Sequence, residues 1–160
     1  MIRQGVESIE KIPAAGGPPV SVRSDNSVAP AVSNGMLYYA TLLKQPGGWS
    51  DFEFRRAKPE SGDYEILARI SGARVPDAPL DFHMILSPDG NWLATPLTDG
   101  GTTNLWLLPA HGGTMRQVTD FGQRPISIVR RVSWSPDSKC IYAAVAEVEA
   151  DIVMLNGLMP

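Results

Sequence analysis

Cysteine and histidine are almost missing from this sequence, which has one cysteine, Cys140, and two histidines, His83 and His111. A single cysteine excludes an internal disulfide and any metal site made from several thiolates. Two histidines without a third nitrogen or thiol ligand nearby make a weak metal site. We therefore predict no metal ion and no cofactor, and we place His111 in a turn and His83 in a strand.

Long hydrophobic runs and basic clusters are missing as well. No stretch approaches the roughly 18 apolar residues that span a bilayer, and the first residues lack the apolar run of about 7 that a signal peptide needs. The net charge is −3, and basic residues are adjacent only at Arg55-Arg56 and Arg130-Arg131. We predict no membrane span in this chain and no nucleic-acid partner. The compartment stays open: cytoplasmic by default, periplasmic or extracellular as part of a longer exported protein.

The residues that are present predict an all-β globular fold. Of the 160 residues, 43% are hydrophobic and 19% charged, which is typical of a folded domain. The segments between turns are short, rich in Val, Ile, Leu and aromatic residues, and bounded by Gly, Pro, Asn and Asp. None contains a capped amphipathic helical run of ten residues or more.

A repeat organises these segments. The stretch "LSPDGNWLATPL" at 86–97 returns as "WSPDSKCIYAAV" at 134–145, an offset of 48 residues. The turn "PAAGG" at 13–17 returns as "PAHGG" at 109–113, an offset of 96 residues, which is twice 48. A degenerate copy, "VSNG" at 32–35, lies between them. Periods of this length are typical of propeller blades and helical arrays, and the strand content favours the propeller.

Each repeat divides into four short antiparallel strands, as a propeller blade requires. In the clearest repeat we predict strands at about Asp81–Leu86, Asn91–Leu97, Asn104–Leu108 and Met115–Val118. The connections between them are Ser87–Gly90, Thr98–Thr103 and Pro109–Thr114. Asp89 and its counterpart Asp137 are predicted to bond backbone donors of their own turns.

These stretches, together with "TNLWLLPAHGGTMRQVTDF" and "DIVMLNGL", resemble the TolB-like, WD40-like β-propeller repeat. The resemblance extends from about Leu80 to Leu158 and is fainter from Ile9 to Ile70. Ser138 stands where the repeat usually has Gly, and the copy around Asn34-Gly35 lacks Ser-Pro-Asp. Propellers of this kind occur as binding proteins, as sensor domains behind bacterial serine/threonine kinases, and as gating domains of prolyl-oligopeptidase-like peptidases.

We predict a single partial propeller over residues 1–160. It has a partial blade at 8–22, complete blades at 28–70 and 80–120, and a partial blade at 126–158. With strands lettered a to d from the axis outward, the first partial blade supplies c and d, and the last supplies a, b and c. Closed propellers have four to eight blades, so either a longer propeller or a homo-oligomer would complete the ring. A two-chain, six-bladed ring fits less well, because both partial blades would supply a c strand.

No catalytic residue is predicted. The chain has no Gly-x-Ser-x-Gly nucleophile elbow, since "GGWSD" at 47–51 lacks the second glycine. Cys140 paired with His83 or His111 is one candidate nucleophile and base. We favour the alternative that Cys140 is a small buried residue at the start of a b strand.

Partner contacts are expected on loops at the blade ends, because loops on a rigid scaffold carry function. Trp49 and Phe52 flank a predicted insertion at Lys44–Ser50, although Phe52 also alternates as a packing residue does. Two roles are open for several aspartates: they hold a cation, or they bond the backbone of their own turns. These residues are Asp77, Asp81, Asp89 and Asp99. The predicted partner surface comprises Trp49, Phe52, Asp77, Asp99 and His111.

The tryptophans at or near equivalent repeat positions are predicted to pack between blades: Trp92, Trp106 and Trp134. The expected function is non-catalytic recognition of a protein or ligand. The alternative is the C-terminal sensor propeller of a larger enzyme, such as a bacterial serine/threonine kinase. A propeller-gated peptidase is disfavoured because "DIVMLNGLMP" resembles the end of a propeller and leaves no room for a downstream catalytic domain in this chain.

Overall fold

The computed structural model describes residues 7–45, 48–71 and 82–147. Within these ranges the chain forms β-strands and no helix. The strands are β1 (Ile9–Lys11), β2 (Val20–Arg23), β3 (Ser27–Ser33), β4 (Met36–Gln45), β5 (Gly48–Ala57), β6 (Glu65–Ser71), β7 (Ile85–Leu86), β8 (Trp92–Asp99), β9 (Thr102–Pro109), β10 (Arg116–Gln117), β11 (Ile126–Trp134) and β12 (Ile141–Glu147).

The strands form four antiparallel sheets in which neighbours in sequence are neighbours in space. Sheet I is β1-β2, sheet II is β3-β4-β5-β6, sheet III is β7-β8-β9-β10, and sheet IV is β11-β12. Sheets II and III are complete four-stranded, propeller-like blades. The predicted all-β fold, built from blades of four antiparallel strands, is confirmed.

Two tight hairpins show how the sequence sets these sheets. Asn34-Gly35 joins β3 to β4, and Gly100-Gly101 joins β8 to β9. All four residues have positive φ, at 49°, 73°, 59° and 89°. A two-residue loop with two positive φ angles is a type I′ turn, whose twist matches that of the flanking strands and which favours Asn and Gly.

Strand lengths in sheet III differ from the prediction. The connection predicted at Thr98–Thr103 shrinks to two glycines, because Asp99 pairs with Thr102 and extends both strands. The predicted first strand, Asp81–Leu86, is only Ile85–Leu86 in the structure, and Asp81 lies outside the described residues. The ladder hydrogen bonds gained by pairing outweigh the turn preference of Thr and Asp.

The core lies between successive sheets, because each strand directs alternate side chains to opposite faces. In sheet II, Ala40 and Phe54 face sheet III, whereas Tyr39 faces sheet I. The cluster between sheets II and III includes Phe52, Phe82, Leu93 and Leu108. Burial of one such side chain contributes about 1.5–3 kcal/mol.

The predicted packing of the tryptophans is confirmed. Trp92 and Trp134 pack in the cluster between sheets III and IV, and Trp106 packs in the cluster between sheets II and III. Trp134 also donates its indole Nε1–H to the carbonyl of Ile85 at 3.1 Å. One side chain therefore joins β11 to β7 by packing and by a hydrogen bond.

Candidate functional site

A row of turns lies at one end of the sheets, and serine hydroxyls form the hydrogen bonds that close two of them. In sheet III, Ser87 Oγ donates to Asp89 Oδ1 and accepts the backbone N–H of Trp92 at 2.9 Å. Asp89 Oδ1 also accepts the N–H of Asn91 at 3.0 Å. Because the Ser87 hydroxyl and these N–H donors favour the ionised carboxylate, the pKa of Asp89 is lowered.

Sheet IV repeats this turn. Ser135 Oγ donates to Asp137 Oδ1 at 2.6 Å and accepts the N–H of Cys140 at 2.9 Å. The hydrogen bond from Ser135, followed by that from the Lys139 N–H, lowers the pKa of Asp137. The turn roles predicted for Asp89 and Asp137 are confirmed, and both carboxylates are committed to their own turns.

Adjacent turns touch one another. Ser138 Oγ accepts the backbone N–H of Asp89 at 3.0 Å, which joins sheet IV to sheet III. A Cβ placed on Gly90 would lie 3.4 Å from Ser33 Oγ and from Asn34 Nδ2, so sheet II lies close on the other side. This row is a structural feature that fixes the spacing of the sheets.

The described part of the chain has a concave surface along its first strands. We call it the inner cleft: about 940 Å³ bounded by residues Glu7–Glu10, Ser27–Ser33 and Phe82–Pro88. It brings together the start of sheet I, strand β3 of sheet II, and β7 of sheet III. Since β3 and β7 are the first strands of their sheets, the inner cleft lies on the predicted axial side of the blades.

The lining of the inner cleft is acidic and half apolar. Glu7 and Glu10 are the charged residues of this lining, while Lys and Arg are absent from the lining that the structure describes. Val28 and Val32 supply apolar surface, and Val32 is 67% exposed. Such a surface favours a ligand with positive charge on an apolar stem.

The edge of β3 facing away from β4 is irregular. A bulge lies between Val28 and Ala31, it contains Pro30, and Ala29 has a φ of 53°. Proline and bulges interrupt the row of backbone donors and acceptors on an edge strand. The inner cleft therefore presents side chains rather than a continuous edge for an added strand.

An ion network joins strands β5 and β6 to Asp25, which precedes β3. The Glu53 carboxylate accepts Arg55 Nε at 2.8 Å and also binds Arg69, while Arg55 Nη1 donates to Asp25 Oδ2 at 2.7 Å. Burial opposes ionisation of Glu53, but the hydrogen bonds from Arg69 and Arg55 outweigh it and lower its pKa. The Arg55 guanidinium also lies 4.0 Å from the centre of the Tyr64 ring. Asp25 pairs with Arg55 and does not line the cleft, whose acidic residues are Glu7 and Glu10.

The predicted insertion at Lys44–Ser50 is wrong. Strand β4 continues to Gln45 and β5 begins at Gly48, with Lys44 paired to Trp49 and Gln45 to Gly48. Pairing of the backbone through these residues satisfies donors and acceptors that a loop would leave to water. The backbone of Trp49 is thus part of β5, and residues 46 and 47 lie outside the described residues.

Phe52 does not belong to a partner surface. It is 1% exposed, and its ring stacks on that of Phe82 with centroids 4.5 Å apart. The packing alternative is the correct one, because Phe52 faces sheet III rather than solvent. Asp77, also predicted for this surface, lies outside the described residues.

The other two predicted contacts are separated. Asp99 lies at the β8–β9 hairpin, and His111 lies beyond β9 at the opposite end of sheet III. Arg56 Nη1 donates to His111 Nδ1 at 3.0 Å and to the carbonyl of Ala110 at 3.1 Å. Arginine has no acceptor, so His111 Nδ1 must accept. His111 fastens sheet II to sheet III, and the five predicted residues do not form one surface.

Cys140 is exposed, which corrects the prediction that it is buried. Its repeat counterpart Trp92 is half-buried, with the Arg116 guanidinium over its ring at 5.1 Å. Sheet IV has no described strand that would cover Cys140 in the same way. His83 lies in the inner cleft beside β7, where its carbonyl accepts Thr95 Oγ1 at 3.0 Å.

Glu7 and Glu10 are the residues that the sequence prediction missed. One signal was present: at the offset of 96, Glu10 occupies the position of Trp106, so a carboxylate replaces a packing aromatic. Among the described residues no group of three or more His, Cys, Asp or Glu side chains is placed to hold a metal. The described ranges also contain no helix long and apolar enough to cross a membrane. No protein-family model matches this chain, and no curated protein is significantly similar to it.

Proposed function

We propose that this chain is a non-catalytic recognition module of the TolB-like, WD40-like propeller type, and that the inner cleft binds a Lys- or Arg-bearing segment of a partner protein. The observation that carries the proposal is the lining of the cleft, about 940 Å³, which includes two acidic residues and no Lys or Arg among the described residues. The repeat resemblance supports it, since propellers of this kind occur as binding proteins.

The lining suits a basic side chain for two reasons. A charge pair at 4 Å gains about 1 kcal/mol in bulk water and about 4 kcal/mol near a protein surface. The apolar residues Val28 and Val32 would pack on the methylene stem that carries the charge. Glu7 and Glu10 would therefore set both the position and the sign of the ligand.

Calorimetric titration with a tetralysine peptide tests the proposal against a tetraglutamate peptide of equal length. We expect saturable binding of tetralysine only, weakened about 3–10-fold in the double variant Glu7→Gln/Glu10→Gln, which corresponds to about 0.6–1.4 kcal/mol. Glu60→Gln/Asp63→Asn is the matched control, because it also removes two negative charges and both residues are exposed acids outside the cleft.

Three results would contradict the proposal. Equal binding of the two peptides would show that the cleft does not prefer positive charge. Absence of binding would show that the cleft does not bind basic peptides. An equal loss of affinity in Glu60→Gln/Asp63→Asn and in the cleft variant would show that net charge, rather than the inner cleft, attracts the peptide.

A further inference from the structure

Sheet I has the register of the outer half of a blade. Its pairs Lys11↔Val20 and Glu10↔Ser21 match Leu107↔Arg116 and Trp106↔Gln117 of sheet III at the offset of 96 residues. The turn inside sheet I matches too. Gly16 N–H donates to Pro13 at 3.0 Å, and Gly112 N–H donates to Pro109 at 3.0 Å. Sheet I therefore corresponds to β9-β10.

Sheet IV has the register of the inner half. Its pairs Trp134↔Ile141 and Ser133↔Tyr142 match Leu86↔Leu93 and Ile85↔Ala94 of sheet III at the offset of 48 residues. Its turn closes with Ser138 N–H to Ser135 at 2.9 Å, as Gly90 N–H to Ser87 does at 2.9 Å. Sheet IV therefore corresponds to β7-β8.

Each half exposes apolar side chains whose counterparts in sheet III are buried. Ile12 is 65% exposed, while its counterpart Leu108 is 0% exposed. Val145 is 50% exposed, while its counterpart Leu97 is 2% exposed. Leu108 and Leu97 are buried in the cluster between sheets II and III, so Ile12 faces the side on which a preceding sheet would pack. In a joined blade that preceding sheet is sheet III of the copy that supplies sheet IV.

The free edges are complementary as well. In sheet III, β8 joins β9 through Leu93↔Leu108 and neighbouring pairs. Within the described residues, the corresponding edges of β12 and β1 have no partner strand. Transferring the register of sheet III places Ile141 opposite Ile12, which restores an apolar cross-strand pair.

We propose that β12 of one copy pairs antiparallel with β1 of a second copy, so that sheet IV and the second copy's sheet I form one four-stranded blade. In this blade β1 takes the place of the c strand predicted from the sequence after β12. Reciprocal exchange gives two such blades, and sheets II and III of both copies supply four more. Six blades fall within the range of four to eight found in closed propellers, whereas closure of one copy on itself would give three. Since Glu7–Glu10 bounds the inner cleft and β1 begins within that stretch, the second copy's sheet IV would lie beside the cleft.

The native Cys140 allows a direct test. Its counterpart Trp92 pairs with Pro109, the counterpart of Pro13. The Ala110 N–H bond to Asn91 at 2.8 Å flanks that pair, which makes it a non-hydrogen-bonded pair. Its Cα atoms are then about 4.5 Å apart, within the range of a disulfide. Pro13→Cys should therefore place a thiol opposite Cys140 of the second copy.

We expect wild-type protein to show twice 17.3 kDa by light scattering. After mild oxidation, Pro13→Cys should give a reducible covalent dimer on non-reducing electrophoresis, with all thiols consumed. Pro13→Cys combined with Cys140→Ser should give none. Ala15→Cys, at an exposed position in the same turn, should give much less.

Three outcomes would overturn the assembly. Loss of thiols at monomeric mass would mean closure within one copy. A ladder of larger covalent species would mean open head-to-tail association. A monomeric wild-type mass without any cross-link would mean that a different strand occupies the edge of β12.

Discussion

Ser138 has a left-handed backbone, with a φ of 58°, at the repeat position where sheet III has Gly90. A non-glycine residue in this conformation costs about 1–2 kcal/mol. Its hydroxyl accepts the Asp89 N–H across two sheets, and such a bond contributes about 0.5–1.5 kcal/mol. The energetic cost of the left-handed backbone at Ser138 and the stabilisation from its hydrogen bond are therefore similar in size and opposite in sign.

Two substitutions separate these contributions. Ser138→Ala keeps the strain and loses the bond, so we expect a loss of about 1 kcal/mol in the free energy of unfolding. Ser138→Gly loses the same bond but relieves the strain, so its stability should stay within about 0.5 kcal/mol of wild type. Urea denaturation measures both. Equal losses of unfolding free energy in the two variants would show that the backbone of Ser138 is not strained.

The turn aspartates make stability depend on pH. Because the pKa of Asp89 and that of Asp137 are lowered in the folded protein, their contribution is present above the ordinary aspartate pKa of about 3.9 and is lost as the pH falls through the lower folded values. We expect the urea midpoint of wild-type protein to fall between pH 6 and pH 3. Asp89→Asn/Asp137→Asn keeps the acceptor oxygens but does not titrate, so its midpoint should fall less. If the urea midpoints of the variant and of wild type fell equally with pH, the turn aspartates would not be the source of the pH dependence.

At the scale of elements, Trp134 joins sheets III and IV. Trp134→Ala should cost about 3 kcal/mol, since it removes a large packed side chain and the bond to Ile85. Trp134→Phe keeps most of the packing and loses only the hydrogen bond, so it should cost about 1 kcal/mol. Thermal unfolding with urea titration compares them. Equal stability of Trp134→Ala and wild type would contradict the stacking of sheet IV on sheet III.

Local chemistry made the turns predictable, and long-range pairing made the strand ends unpredictable. Asn34-Gly35 and Ser87–Gly90 carry their turn signal within four residues. The extension of β4 to Gln45 depends on pairing with β5, and the exposure of Cys140 depends on what stands beside sheet IV. Glu7 and Glu10 become a site only when residues of three sheets meet at the inner cleft. No periodicity within one segment carries that information.

At the scale of the whole molecule, the sheets of the described residues form a row, with one core cluster between each sheet and the next. In such an arrangement stability is a sum of unit and interface contributions. Of the three core clusters in the described residues, the one between sheets II and III contains the most residues. Sheets I and IV flank these two sheets on their outer faces. This central cluster should be the last part of the molecule to open.

Amide hydrogen exchange tests this order. We expect the slowest exchange in the central strands β4, β5, β8 and β9, and faster exchange in β1 and β2, because local opening requires less buried surface to be exposed at the periphery. Uniform protection of all twelve strands would contradict independent units. Protection along β12 that rises with protein concentration would instead report pairing of its free edge.

Because the registers of sheets I and IV match the two halves of one blade, the order of these segments along the chain can be changed without changing the blades that they form. If the inner half of a blade is at 126–147 and the outer half at 9–23, a circular permutant that starts at β3 and places the outer half after β12 would encode three whole blades in sequence. Gly100-Gly101 shows that two residues suffice to connect the halves. Such a permutant would exchange no strands between copies, so its blades would meet only through their faces.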